Sequence, residues 1–368
     1  MNLTGSSELY DQDYPLNDTW DPCWDALGCF LEPCPPAGQG WTLQRLLLPP
    51  FYLAVFLLGS VTNGLVLAVL LRRRSRRRAT DVFLLHLAAA DLLLALSMPF
   101  WAAEEWWGWV FGWLPCKLVG ALYNINFYSS IYVLVCISFE RRLAVTQAVP
   151  GRHRGRPAAI WAASLAVWLI CLLLAVPDFV YLHPVSSDGS LQCVHSYGAA
   201  QSQVWLVTLR CFYHATGFLL PVGAMTYCYL GIGRTILSSQ GSRRRREWRA
   251  VRLMLAVVAA FLLCWTPHHG ALLVETAHRL GALSRDCGFE RHLDRAYMVT
   301  SCLGNLHCCL NPFLYAFVGL RFRGELWAAL RDWGLLRGVR GWNRVGARGS
   351  RNSTVSGTKL FNSSGSWT

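Results

Sequence analysis

Seven stretches of this chain are long and apolar enough to cross a lipid bilayer, and no other feature constrains its fold as tightly. They run approximately over residues 46–71, 82–103, 118–139, 158–176, 211–232, 253–274 and 296–320. A spanning helix needs about 20 mostly apolar residues, because in hydrocarbon every backbone N–H and C=O has to be satisfied within the segment. Asp91 is the only acid inside any of them, and no Lys or Arg falls there. Across its 368 residues the chain is 54% hydrophobic and 15% charged, too apolar for an ordinary soluble domain of that size. The expected fold is an all-α membrane protein: a seven-transmembrane helix bundle (46–320) with an N-terminal arm (1–45), a short amphipathic helix (321–336) and a disordered tail (337–368).

Orientation follows from arginine placement, since short cytoplasmic loops hold Lys and Arg and extracellular ones mostly do not. Arg72, Arg73, Arg74, Arg76, Arg77 and Arg78 follow the first span. Arg142, Arg152, Arg154 and Arg156 follow the third, and Arg243, Arg244, Arg245, Arg246 and Arg249 the fifth. These loops and the C-terminal tail are predicted inside and the N-terminus outside, at the plasma membrane. The net charge of +13 then reports topology and contact with membrane lipids, not nucleic-acid binding. The arm is the opposite, with Glu8, Asp11, Asp13, Asp18, Asp21, Asp25 and Glu32 and no base before Arg45. No basic flank followed by an apolar run marks a signal peptide, so the first span is expected to act as its own insertion signal.

Most of the 14 cysteines lie inside spans, where a thiol is a small buried apolar group. Six are predicted on the outer, oxidising side: Cys23, Cys29, Cys34, Cys116, Cys193 and Cys287. Spacing does not give connectivity. A bridge between Cys116, which opens the third span, and Cys193 would tie the loop after the fourth span over the bundle mouth. Pairing of Cys34 with Cys287 would close the arm onto the last loop, leaving Cys23 and Cys29 to each other or free; unpaired arm cysteines are the alternative. Asn2 and Asn17 head glycosylation sequons on the outer arm, whereas the sequons at Asn352 and Asn362 fall inside and should stay bare.

An ionisable group inside a span costs several kcal/mol unless paired or hydrated, so Asp91 marks a functional site by default. Asn63, Asn126, Ser130, His307 and Asn311 lie on other spans and could meet it around water or a cation, or in a static packing network without an ion. A sodium ion held by Asp91, Asn126, Ser130 and Asn311 is the one cofactor expected. Pro99, Pro177, Pro221, Pro267 and Pro312 interrupt spans, and each deletes a backbone hydrogen bond and kinks its helix.

Asn63, Leu87-Ala88-Ala89-Ala90-Asp91, Glu140-Arg141-Arg142, Trp168, Pro221 with Tyr229, Cys264-Trp265-Thr266-Pro267 and Asn311-Pro312-Phe313-Leu314-Tyr315 follow in order on the seven spans. They resemble the signature set of rhodopsin-like G-protein-coupled receptors. A narrower resemblance covers residues 34–330. Ser97-Met98-Pro99, Trp109-Val110-Phe111-Gly112 before Cys116, Asn124-Ile125-Asn126-Phe127-Tyr128, Pro177-Asp178-Phe179 and His307-Cys308-Cys309-Leu310-Asn311-Pro312 look like the CXC chemokine receptors. The stretches 124–128 and 307–319 look most like the type-three group among them.

The resemblance implies a two-part site for basic CXC chemokines. Tyr10 and Tyr14 sit among arm acids in the pattern of sulfated tyrosines; a merely solubilising tail is the bland alternative. Glu104, Asp178, Glu275 and Asp294 lie at the outer ends of four spans, with Trp101 and Tyr123 near them. Acids and aromatic walls around a wet cavity suit a cationic chemokine N-terminus.

It also implies a switch, with Trp265 sensing the pocket, the sixth helix swinging at Pro267, Tyr229 and Tyr315 supporting the open state, and Glu140 holding Arg141 at rest. Coupling to an inhibitory-type heterotrimeric G protein in leukocyte chemotaxis follows from the resemblance, as do receptor kinases and arrestin acting on tail hydroxyls from Ser350 to Thr368. Arg142 departs from the family's Asp-Arg-Tyr by putting a charge on the coupling surface, unless it reaches lipid phosphates. The competing reading is a scavenger that internalises chemokine without G-protein signalling. A light receptor would need a lysine in the seventh span, and the only lysines are Lys117 and Lys359. No nucleophile, metal or phosphate motif suggests an enzyme. Phe322, Leu326, Trp327 and Leu330 space as one face of a membrane-surface helix, and no cysteine follows Cys309 to carry a palmitoyl anchor.

Overall fold

The chain forms an all-α bundle with one small β-hairpin. A computed structural model describes residues 40–72, 79–146, 157–187, 190–197, 202–283, 286–318 and 320–334, all within the unit Gly38–Thr368. The first three helices are α1 (Gly40–Leu71), α2 (Ala79–Trp107) and α3 (Trp113–Thr146). α4 (Pro157–Leu174) is broken by a turn at Ala175 and resumes as α5 (Val176–Tyr181), where Pro177 occupies the first turn. Proline is tolerated there because that N–H has no intrahelical partner anyway. The hairpin β1 (Leu182–Ser187) and β2 (Ser190–His195) follows, antiparallel, with Pro184 opposite Cys193.

α6 (Ser202–His214) runs through a π-helical turn (Ala215–Leu219) into α7 (Leu220–Ser238). The turn has a local cause. In π geometry the carbonyl of Thr216 would receive the N–H of residue 221, and Pro221 has none. Tyr132 on α3 supplies the missing donor, its hydroxyl reaching the Thr216 carbonyl at 3.0 Å. α8 (Gly241–Arg279), α9 (Cys287–Val318) and α10 (Leu320–Asp332) complete the chain of helices. The arginines from Arg243 to Arg249, expected in a loop, lie instead in the first turns of α8.

Six of these rods are long and apolar enough to cross a membrane: α1, α2, α3, α4 with α5, α6 with α7, and α8. α9 is equally long at 32 residues, but Asn305, His307 and Asn311 interrupt its apolar run. Those side chains are all buried, so α9 spends its polarity on the bundle interior. Asn63 staples it to α1, donating to the carbonyls of Gly59 and Cys308 at 3.0 and 2.9 Å. It does not bond Asp91. α10 packs its Phe322 against Tyr315 with ring centroids 6.2 Å apart, and Arg72 at the end of α1 holds Asp332 at 2.5 Å.

Candidate functional site

One end of the bundle is framed by a covalent and hydrogen-bonded lid. Gly108 has φ of +76°, and a Cβ there would stand 2.9 Å from the Leu191 carbonyl, so only glycine lets the chain pass so close to β2. Next to it the backbone N–H of Trp109 donates to Leu191 at 2.6 Å, and its indole donates to Gly112 at 2.7 Å. Cys116 and Cys193 are bridged, with their Cα atoms 5.6 Å apart. Trp109, Cys116, Val119, Leu182 and Cys193 pack as one buried cluster. Glu104 belongs to this lid, since it accepts the N–H of Cys193 at 2.6 Å.

Below the lid lies a cavity of about 630 Å³, lined among others by Trp101, Tyr123, Asp178, Glu275 and Asp294. Among the described residues, Glu104 is the sequence candidate that does not line it. The three acids differ in what they offer a ligand. Asp178 is buried and committed: Asn124 donates to both its oxygens at 2.9 Å, and the His195 ring lies 2.9 Å away. Glu275 is paired with Arg210 at 3.1 Å and Arg279 at 2.8 Å. Asp294 makes no hydrogen bond or ion pair among the described residues. Its partial burial, with Glu290 and Glu275 close by, raises its pKa above the ordinary carboxylate value against the pull of Arg279 and His278.

Arg210, His195, His268 and Tyr297 also line the cavity and were not singled out from the sequence. Arg210 lies one residue before the apolar limit of its span. His268 follows Pro267 directly, and a count of carboxylates alone passes over histidines. The cavity floor leads inward through Tyr123, whose ring meets Trp265 edge-on at 6.1 Å. Trp265 is fully buried against Phe127, with centroids 4.4 Å apart.

Trp265 in turn touches the buried polar centre. Asp91 accepts from Asn126 at 3.1 Å and from Asn311 at 2.8 Å, and His307 Nε2 lies 3.7 Å away. His307 Nδ1 approaches both the Gly304 carbonyl, at 2.5 Å, and the Trp265 indole nitrogen, at 3.3 Å. One nitrogen cannot donate to the first and accept from the second, and the shorter contact assigns it the proton. Nε2 is then the acceptor facing the Ser130 hydroxyl at 3.4 Å. Asn126 Oδ1 is buried with no partner. The Asp91 carboxylate, this orphan amide oxygen and the Ser130 hydroxyl are hard oxygen donors that fit a small monovalent cation. Among the described residues no group of three or more His, Cys, Asp or Glu is placed to hold a metal ion.

At the opposite end of the bundle, Arg141 pairs with Glu140 at 2.7 Å, off the axis of a hydrogen bond, and donates to the Thr80 hydroxyl. Tyr229, near Ser138, and Tyr315 bury hydroxyls that make no aligned hydrogen bond. Arg142 bonds the Tyr227 carbonyl of α7 at 2.6 Å. Tyr10, Tyr14, Asn2, Asn17 and Cys34 lie outside the described residues, as does the side chain of Cys287.

The family described as 7 transmembrane receptor (rhodopsin family) matches residues 62–315. C-X-C chemokine receptor type 3 of Homo sapiens is 45% identical over 367 residues, 99% of this chain and 95% of its own. The receptor of the same name in Rattus norvegicus is 45% identical over 299 residues, 80% of each chain. C-X-C chemokine receptor type 5 of Rattus norvegicus is 37% identical over 348 residues, 92% of this chain and 91% of its own. The chain belongs to the rhodopsin family of seven-transmembrane receptors and, within it, to the C-X-C chemokine receptors.

Proposed function

We propose that this receptor stands in the plasma membrane with its N-terminus outside, binds basic CXC chemokines, and activates inhibitory-type heterotrimeric G proteins in leukocyte chemotaxis. The observation that carries the reading is the continuity from the open carboxylate of Asp294, through the aromatic cavity, to Trp265 and Asp91. A ligand ammonium has one uncommitted acid at the rim. It also competes with Arg210 for Glu275, and Arg210 ties α6 to α8 through Glu275 and Thr276, alongside Gln203 on the Arg279 carbonyl and His214 on His269. Loosening that tie would weaken the hold of α6 on the helix that carries Trp265 and Pro267.

The Glu140–Arg141 pair at the end of α3 supports signalling over scavenging, and Arg142 beside it is engaged by the Tyr227 carbonyl and ring on the surface of α7. A sodium ion at Asp91, Asn126 and Ser130, with Asn311 beside them, would favour the resting arrangement. Receptor kinases and arrestin would then act on the tail.

The acidic arm is expected to supply the long-range part of affinity, since exposed charges are screened beyond about 10 Å at 0.1 M salt. Replacing Tyr10 and Tyr14 together with Phe should weaken chemokine binding about tenfold at low salt and progressively less as salt rises. Equal affinity for every chemokine that binds, at all salt concentrations, would remove the arm from the site. Asp294→Asn should weaken binding about fivefold with the fold intact, as for a partly exposed charge pair. Competition binding on cells with matched surface expression measures both.

A further inference from the structure

Arg142 puts a charge near the C-terminal end of α3, and two contacts with α7 hold its guanidinium. Its Nη1 donates to the Tyr227 carbonyl at 2.6 Å, as a second donor to an oxygen that has two lone pairs. Its guanidinium carbon lies 3.9 Å above the centroid of the Tyr227 ring, a cation–π geometry. Gly231, one turn further along α7, leaves the space the guanidinium fills: a Cβ there would come within 2.6 Å of Nη1 and 2.7 Å of Cζ. Tyr227 and Gly231 are four apart, so they share one face of α7. Socket and plug are therefore both present.

The clip sits beside the switch residues on both helices. Arg141, adjacent in the chain, is held by Glu140 and Thr80. Tyr229, between the two socket residues, has a hydroxyl without an aligned partner. A rotation of α7 about its axis would carry the Tyr227 carbonyl and the Gly231 slot away from Arg142. We propose that Arg142, Tyr227 and Gly231 form a clip that holds α7 against α3 at rest and restrains ligand-independent signalling. The signalling half of this rests on the coupling proposed above, while the holding half does not.

Three variants of the full-length receptor in lipid nanodiscs separate the clip from a general loss of structure. Arg142→Lys keeps the charge but loses the planar stack and fork. Tyr227→Leu removes the ring. Gly231→Ala leaves Arg142 in place but fills its slot, and since Ala is the better helix former, a helix without a clip would gain order from it. All three are expected to raise amide hydrogen exchange over the inner half of α7 and to raise basal nucleotide exchange on an inhibitory-type G protein about three- to tenfold, the range of one charge-assisted contact. Unchanged amide exchange in α7 for Arg142→Lys and Gly231→Ala would overturn the clip. Faster amide exchange with unchanged basal turnover, in a receptor that still responds to chemokine, would overturn the restraint on signalling. A parent receptor that binds chemokine and activates no G protein would instead refute the coupling reading, and α7 exchange alone would then decide the clip.

Discussion

Replacing either Cys116 or Cys193 with alanine is expected to abolish chemokine binding at the cell surface. The bridge joins residues 77 positions apart, for which chain entropy alone gives about 4.5 kcal/mol. That is a large part of the few to fifteen kcal/mol that keeps a protein folded. It also positions everything above the cavity. Without it the hairpin is held only by non-covalent contacts: the Leu191 carbonyl on Trp109, the Cys193 N–H on Glu104, His195 on Asp178 and the packing of Leu182 among them. A free Cys116 or Cys193 has no other role in the structure, so the double variant should behave like either single one. Surface labelling with chemokine binding on the same cells tests this, and normal binding by a single variant would contradict it.

The second large effect is expected at Asp91. Asp91→Ala leaves the amides of Asn126 and Asn311 without an acceptor in a fully buried site, at about 1–3 kcal/mol each, and should leave little folded receptor. Asp91→Asn keeps volume and one acceptor oxygen but removes the charge. It should reach the surface, bind chemokine within about threefold of the parent, lose sodium dependence of that binding, and lower chemokine-driven nucleotide exchange about tenfold or more. Unaltered sodium dependence in Asp91→Asn would show that the ion, if it acts, sits elsewhere.

Hydrophobic runs made the spanning rods legible, because a bilayer admits so few backbone solutions; of the prolines, Pro177 and Pro221 fall at a break and a π turn, whereas Pro99, Pro267 and Pro312 lie inside continuous helices. The ends of the helices were not legible. α2, α3 and α8 run well past their apolar stretches, since beyond hydrocarbon a helix continues on propensity and packing, as the arginine run at the start of α8 does. The hairpin at Leu182–His195 escaped notice because its register depends on the bridge and on Trp109, not on alternation within the strands.

At the cavity the acids could be named, but their states could not. Whether Asp178, Glu275 or Asp294 is free depends on Asn124, Arg210 and His195 from other helices and from β2. Arg142 taught the same lesson at the other end. Its charge is legible in the sequence, but the space beside it at a glycine 89 positions away is visible only once α3 and α7 lie together.

The most direct measurement is a panel of basic CXC chemokines applied to cells expressing this chain, with inhibitory-type G-protein activation and chemokine uptake read in parallel. At least one chemokine should bind and drive both responses, and the Asp294→Asn receptor should need a higher concentration for each. Uptake without any G-protein activation, in the parent and in the Arg142→Lys receptor alike, would contradict the signalling assignment and identify a scavenger.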